Sequence, residues 1–408
     1  MVPKSKSLAV HLSTVPDPRS QRGLRHNLLD ILVIAVLATL SGEDDWEGVE
    51  EFGQDHEAWL RTFLELPNGI PSHDTFNRVF QMLDPEAFQE AFLGWTNRVR
   101  EKIPGDVVAL DGKTLRAACD RGDSPVHMVS AWSCANGMVL GQLAVAEKSN
   151  EITALPELIR ILHLKGCIVT IDAMGCQKEI AQAIAGGRNG ADYVLAVKGN
   201  QGTLHQRIQD AFAELDAAPT TIPHFVTEAR EDGHGRKELR RVTTLDAMAH
   251  LPEDVLLQWS KCETIARVQS EVERDGKTVR EERFYISTLL AAKVDVVGMS
   301  VRSHWNIENR LHWTLDVAFR EDGIRTRKGN AAECGAVLRH LVVNLLNRDP
   351  NPKGRSIKAR RQRAGRVQEY RLAALLGFPE DCQIAEPERN KGYVAIKPGN
   401  TAIHPLLR

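Results

Sequence analysis

Three acidic residues, Asp111, Asp172 and Glu308, could do chemistry together, although alone Asp111 could cap a turn and Glu308 reads as a solvated helix residue. Asp111 closes the short apolar run Val107-Val108-Ala109-Leu110, and Asp172 closes Cys167-Ile168-Val169-Thr170-Ile171. Glu308 lies in Arg302-Ser303-His304-Trp305-Asn306-Ile307-Glu308-Asn309, a stretch with helical spacing. Carboxylates brought from separate elements are hard oxygen donors. They suit Mg²⁺, which keeps several waters and usually takes only one or two protein carboxylates plus phosphate oxygens. Two such ions about 3.5–4 Å apart can activate an attacking oxygen and stabilise a leaving one. The chemistry open to this trio is metal-assisted displacement at phosphorus.

For that chemistry the aspartates, 61 positions apart, must meet. The pattern between them supplies a route. Val107 to Leu110 is a short strand ending at Asp111, His127 to Cys134 a second, and Met138 to Ala146 a third. Asn136-Gly137, the dipeptide a type I′ hairpin prefers, separates the second from the third. Ile152 to Leu164 has amphipathic helical spacing, Cys167 to Ile171 is a fourth strand, Cys176 to Ala185 a helix, and Tyr193 to Val197 a fifth strand. The order is β-β-β-α-β-α-β. A three-strand meander followed by a right-handed helical crossover puts the fourth strand beside the first and parallel to it. Asp111 and Asp172 then emerge at one sheet edge, outside the carboxyl ends of the strands, where ligands bind in such sheets.

The glutamate belongs to a helical stretch from Val294 to Phe319. At 3.6 residues per turn, His304, Glu308 and His312 share one face, Asp316 continues it, and Ile307, Leu311, Leu315 and Ala318 line an adjacent apolar face. Imidazole suits zinc, but zinc holds four firm ligands in fixed geometry. The histidines are better read as packing against the protein or facing phosphate.

The rest of the chain frames this core. Residues 1–100 look helical: Leu28 to Leu40 is nearly all apolar, Trp46 to Phe63 mixes acidic and apolar positions, and Ser72 stands as N-cap to a stripe of Phe76, Val79, Phe80 and Leu83. Residues 101–221 and 291–348 form the two parts of the core, the latter ending in an apolar helix through Val337, Leu341, Val342 and Leu345. Residues 222–290 read as a β-rich insertion with hairpin signals at Gly233-His234-Gly235 and Asp275-Gly276, and 349–408 as a basic segment and tail.

Hydrophobic residues make up 42% of the 408 and charged residues 26%, a globular balance. The net charge of −2 says nothing of an anionic partner, but its distribution does. Residues 43–57 are acidic, without Lys or Arg, and read as a solvated helix face. Residues 353–371 carry eight basic residues, Arg360 and Arg361 among them, against the single acid Glu369. Basic groups facing phosphate give binding that weakens steeply with salt. Lys198-Gly199-Asn200-Gln201 follows the fifth strand at the same edge as the aspartates, and Arg236 sits in a hairpin turn. Both are candidate contacts for a phosphate backbone. Trp305 and Trp313 read as core rather than base-stacking residues. Seven scattered cysteines with no Cys-x-x-Cys pair exclude a zinc knuckle and a disulfide framework and fit a reducing cytoplasm. The longest apolar run, Ile31 to Ala38, is far short of the roughly 20 residues that span a bilayer.

Several stretches together resemble the H-repeat-associated (ISAs-type) insertion-sequence transposases of the DDE superfamily. They are Ile70 to Phe76, Leu110-Asp111-Gly112-Lys113-Thr114-Leu115-Arg116, Glu147 to Thr153, Thr170 to Gln177, Leu195 to Gln201, and His304 to Asp316. The resemblance covers about residues 12–348. It implies a ribonuclease H-like mixed sheet and Asp111, Asp172 and Glu308 as catalytic metal ligands. It also implies two Mg²⁺, with Mn²⁺ as substitute, and cleavage and rejoining of double-stranded DNA at the inverted repeats of the element and at its target. A homodimer on DNA and a cytoplasmic, nucleoid-associated location follow. Lys113, Lys198, Asn200, Gln201, Arg236, Arg302, His304, Arg360 and Arg361 become the expected DNA contacts. Related transposases carry a Tyr-Arg-Glu-Lys signature around the glutamate. Here those partner positions hold Val301, His304 and Leu315. The alternative is a catalytically inactive or repurposed DNA-binding relative.

Overall fold

The computed structural model describes residues 7–20, 24–115, 126–145, 151–186, 189–233, 236–274, 276–324, 326, 328–350 and 355–378. It is a mixed α/β fold built on one large mixed sheet. The strands are β1 (Val107–Leu115), β2 (Val126–Ser133), β3 (Met138–Val145), β4 (Ile168–Ile171), β5 (Asp192–Val197), β6 (Phe225–Gly233), β7 (Arg236–Asp246), β8 (Thr264–Arg274) and β9 (Lys277–Ser287). Their order across the sheet is β3-β2-β1-β4-β5-β9-β8-β7-β6. β1, β4 and β5 are parallel neighbours, while β2–β3 and the four strands from β9 to β6 pair antiparallel.

Short apolar runs make β1, β4 and β5 the buried centre of this sheet. Val107 to Leu110, Ile168 to Ile171 and Tyr193 to Leu195 are all buried, as expected of strands covered on both faces. Helices Glu151–Ile161 and Lys178–Ala185 make the two crossovers. In the β2–β3 turn Gly137 takes φ +61°, a conformation a side chain would resist.

The chain divides into two compact units, one of Glu101–Thr114 with His127–Arg310, the other of Met1–Arg100, Leu115–Val126 and Leu311–Arg408. This division differs from the five segments read from sequence. Residues 222–290 are not a body apart, because β9 pairs with β5 over Val194–Val197 and so extends the same sheet. Helix Val294–His304 packs across β4, β5, β6 and β7. Its Val297 and Val301 enter a core with Val107, Ile168, Val194, Val242, Ala266 and Tyr285. At Gly298 an added Cβ would lie 3.1 Å from Val242 Cγ2, so the glycine lets helix and strand approach closely.

In the other unit, Leu28–Ser41 is a helix buried on nearly every side, flanked by Ala331–Asn347 and Ile357–Arg366. The stretch from Trp46 is broken at His56 into Trp46–Asp55 and Glu57–Leu60. Ser72 does precede helix His73–Met82, but its hydroxyl meets Thr75 Oγ1 at 3.2 Å instead of capping a backbone amide. Among the described residues no helix is long and apolar enough to cross a membrane.

Candidate active site

β1 and β4 set the site. Val107, Val108, Ala109 and Leu110 face Ile168, Val169, Thr170 and Ile171 in parallel register. Asp111 and Asp172 are the next residue on each chain, and neighbouring strands lie about 4.8 Å apart. The two carboxylates therefore leave the paired region side by side. β4 stops at Ile171, whereas β1 runs on to Leu115. The sequence reading that the first strand ends at Asp111 is corrected: the pairing ends there, not the strand.

Each aspartate is held by its own backbone. Asp172 Oδ1 accepts from the amides of Met174 at 3.1 Å and Gly175 at 3.2 Å, which closes a tight turn after the strand. A Cβ on Gly175 would fall 2.2 Å from Ile171 Cγ2, so only glycine fits that turn. Asp111 Oδ1 accepts from the Gly112 amide at 2.9 Å. Burial pushes the Asp111 carboxyl up to about 7. The Gly112 amide opposes the shift, and the nearby charges of Asp172, Glu308 and Glu151 add to it. Asp111 thus feels both of the other expected carboxylates, although they come from a second strand and a distant helix.

Glu308 arrives on a departure from regular helix. Helix Val294–His304 is pinned to the sheet at its end, where His304 Nδ1 lies 3.1 Å from Thr170 Oγ1 and Cys134 Sγ donates to the Ser303 carbonyl at 3.3 Å. A π-helix then spans Ile307–His312, and α-helix resumes at Trp313–Ala318. The wider π turn breaks the even i, i+4 spacing expected of His304, Glu308 and His312. Glu308 is exposed at the start of this turn, while Ile307 and Leu311 are fully buried beneath it. Single π turns inside α-helices occur frequently at functional sites.

The donor set fits a hard divalent cation: carboxylate oxygens only, close enough to repel one another. No group of three or more His, Cys, Asp or Glu side chains among the described residues is gathered tightly enough to hold an ion as it stands.

Residues 102–345 match the family model described as Transposase DDE domain, and residues 9–96 match the DDE_Tnp_1-associated model. The chain belongs to the DDE transposases of the H repeat-associated type. It is 36% identical over 91% of its length to "H repeat-associated putative transposase YhhI" of Escherichia coli K12, covering 98% of that protein. It is 40% identical over 88% of its length to "Putative transposase YncI" of Escherichia coli O157:H7, covering 91% of that protein. A piggyBac transposase synaptic complex with hairpin DNA aligns with 91% of this chain and 77% of its own at 9% identity. Its TM-score of 0.42 is too low to support an argument.

The transposase places its other expected contacts unevenly. Lys198 is exposed just past β5, at the same edge as Asp172. Lys113 lies on β1, half-buried, two residues past Asp111. Asn200 and Gln201 turn inward: Asn200 Nδ2 donates to the Ala173 carbonyl at 2.7 Å, and Gln201 Nε2 to the Cys176 carbonyl at 3.0 Å and to Gln177 Oε1 at 3.1 Å. Their amides brace the loop that carries Asp172. His304 turns inward too. Desolvation holds its pKa below the ordinary histidine value against the pull of Asp172, so its ring is a neutral prop against β4. Arg302 is exposed and paired with Glu231 at 3.2 Å, and Arg236 pairs with Glu238 at 2.6 Å at the outer end of the β6–β7 hairpin. His234, beside it in sequence, lies outside the described residues.

The basic run is corrected in part. Arg361 is buried in its own unit, donating to the Thr39 and Ala318 carbonyls and pairing with Asp44. Arg360 is spent on the Leu346 carbonyl at 2.9 Å and the Arg355 carbonyl at 3.1 Å. Arg371 is buried across the rings of Phe52 and Trp59. A buried guanidinium needs carbonyls, carboxylates or ring faces around it, and a charge count along the sequence cannot show which arginines have them. Lys358 and Arg366 remain exposed. Asp44 stays exposed on the acidic face but spends its carboxylate on Arg361. Trp305 lies under the Arg283 guanidinium at 5.1 Å, while Trp313 is 60% exposed and not core.

One carboxylate went unread in the sequence. Glu151 opens the helix Glu151–Ile161 beside Gly112. Its signal was there, inside the family-like stretch Glu147 to Thr153, but a lone acid at a helix start ordinarily means dipole stabilisation.

Proposed function

We propose that this chain is an active insertion-sequence transposase that cleaves and rejoins DNA at the ends of its element through Asp111, Asp172 and Glu308. One observation carries the proposal: the parallel β1–β4 register puts Asp111 beside Asp172, with Glu308 within electrostatic reach, inside a region that matches the Transposase DDE domain.

In this account the three carboxylates would hold two divalent cations, Mg²⁺ or Mn²⁺. When bound, such ions lower the pKa of an attacking water or 3′-hydroxyl and stabilise the leaving oxygen. The chain's own residues do the rest. The backbone turn at Met174 and Gly175 orients Asp172, and Asn200 and Gln201 stiffen that turn from the neighbouring loop. Asp111 would serve as a ligand only after losing its proton. His304 on Thr170 fixes the end of the helix that delivers Glu308. Lys198 and Lys113 meet the DNA backbone as point charges and Arg236 and Arg302 as planar donor forks; within the other unit Lys358 and Arg366 supply further basic contacts to DNA. Assembly into at least a dimer on paired ends belongs to the same account.

Duplexes carrying the inverted repeats that flank the gene test it, with strand cleavage and joined products followed during a Mg²⁺ titration. Metal-dependent nicking followed by joining supports the transposase. DNA affinity without any metal-dependent nicking would instead point to the repurposed binder, and cutting without joining to a nuclease.

A further inference from the structure

Gly112, the residue after Asp111, has no room for a side chain. A Cβ there would lie 2.2 Å from Glu151 Oε1, 2.3 Å from Cδ and 2.8 Å from Oε2. The whole Glu151 carboxylate therefore lies against the backbone next to Asp111, in the space the glycine leaves open. It comes from a third part of the core, the first turn of the crossover helix between β3 and β4. Its charge acts on Asp111, and the charge of Asp172 acts on it in turn. His127, whose ring Nδ1 lies 2.8 Å from Thr114 Oγ1, acts on it in the opposite direction.

Two explanations compete. An acid in the first turn of a helix gains a few tenths of a kcal/mol up to about 1 from the helix dipole, wherever that helix lies. That gain does not call for a carboxylate half-buried among other carboxylates, where desolvation and repulsion both work against it. Buried charges are ordinarily paired or coordinate a metal.

We propose that Glu151 is a fourth carboxylate of the site, donating an oxygen to the divalent cation or to a water bound to it. The inference rests on Asp111, Asp172 and Glu308 being cation ligands. It adds that the Asp111-Gly112 pair and Glu151 work as one unit, the glycine existing to seat the carboxylate.

The full-length chain with Mn²⁺ alone provides the test, free Mn²⁺ being followed by electron paramagnetic resonance without DNA. Glu151→Gln keeps the shape of the side chain and should weaken Mn²⁺ binding about ten-fold or more, the usual effect of losing a supporting group at a metal site. Gly112→Ala, which moves the carboxylate without changing any charge, should weaken it similarly. Without metal, Glu151→Gln should melt at a higher temperature than the parent, since one repelling charge is gone, and saturating Mn²⁺ should reverse that order. Asp172→Asn serves as reference. Loss of Mn²⁺ binding in Asp172→Asn with parent-like binding in Glu151→Gln overturns the role of Glu151 and leaves the three-carboxylate site standing. Parent-like binding in both variants rejects the three-carboxylate site as well.

Discussion

Asp111 and Asp172 are the first residues beyond a shared parallel register, each following a residue, Leu110 or Ile171, that is paired with the other strand. That relationship turns two acids distant in sequence into neighbours, and the Asp172 charge adds to the burial that raises Asp111.

The first prediction concerns pH. A free aspartate releases its proton near 3.8, whereas folded Asp111 keeps its proton up to about 7. Between those values the native state binds more protons than the unfolded one, so stability falls as pH rises from about 4 to about 7 and levels off above. Thermal unfolding of the metal-free protein across that window should show the decline, and Asp111→Asn should flatten it. Because a cation must displace the same proton, Mn²⁺ affinity should rise with pH up to about 7. A midpoint that climbs steadily through this window would contradict the assignment.

A second prediction follows from the loop after β5. Asn200→Ala removes the amide that holds the Ala173 carbonyl, one residue past Asp172. The cost in stability should be about 1 kcal/mol. Cleavage should drop further, by about 10- to 100-fold, as when the groups orienting a metal ligand are lost. DNA affinity should barely change. An affinity loss matching the loss of cleavage would mean that Asn200 touches DNA after all.

The basic run gives the third. Arg361→Ala leaves the Thr39 and Ala318 carbonyls without their buried donor and should destabilise the fold by about 2–3 kcal/mol, measured by denaturant unfolding. The double change Lys358→Ala with Arg366→Ala should leave stability nearly unaltered. It should instead weaken DNA binding and lower the slope of log K against log salt by about 2.

The sequence revealed the centre of the fold better than its margins. Apolar runs too short for helices, the Asn136-Gly137 turn and one crossover were enough to put Asp111 beside Asp172, since chain handedness leaves few other ways to connect them. The π turn at Ile307–His312 was not legible, because a 3.6-residue pattern of apolar positions assumes the very regularity that this segment abandons. Nor was the inward aim of Asn200, Gln201 and His304. An amide or imidazole looks alike in sequence whether it faces phosphate or a carbonyl two loops away. The hairpins of residues 222–290 gave themselves away by their turns, but that β9 joins β5 depends on long-range pairing that no local pattern encodes.

The most direct test is cleavage of duplex DNA bearing the element's own ends by the parent chain and by Asp172→Ala, at saturating Mg²⁺, with DNA binding measured in parallel. The account predicts metal-dependent cutting by the parent, none above background by the variant, and equal binding by both. Undiminished cutting by Asp172→Ala would contradict it.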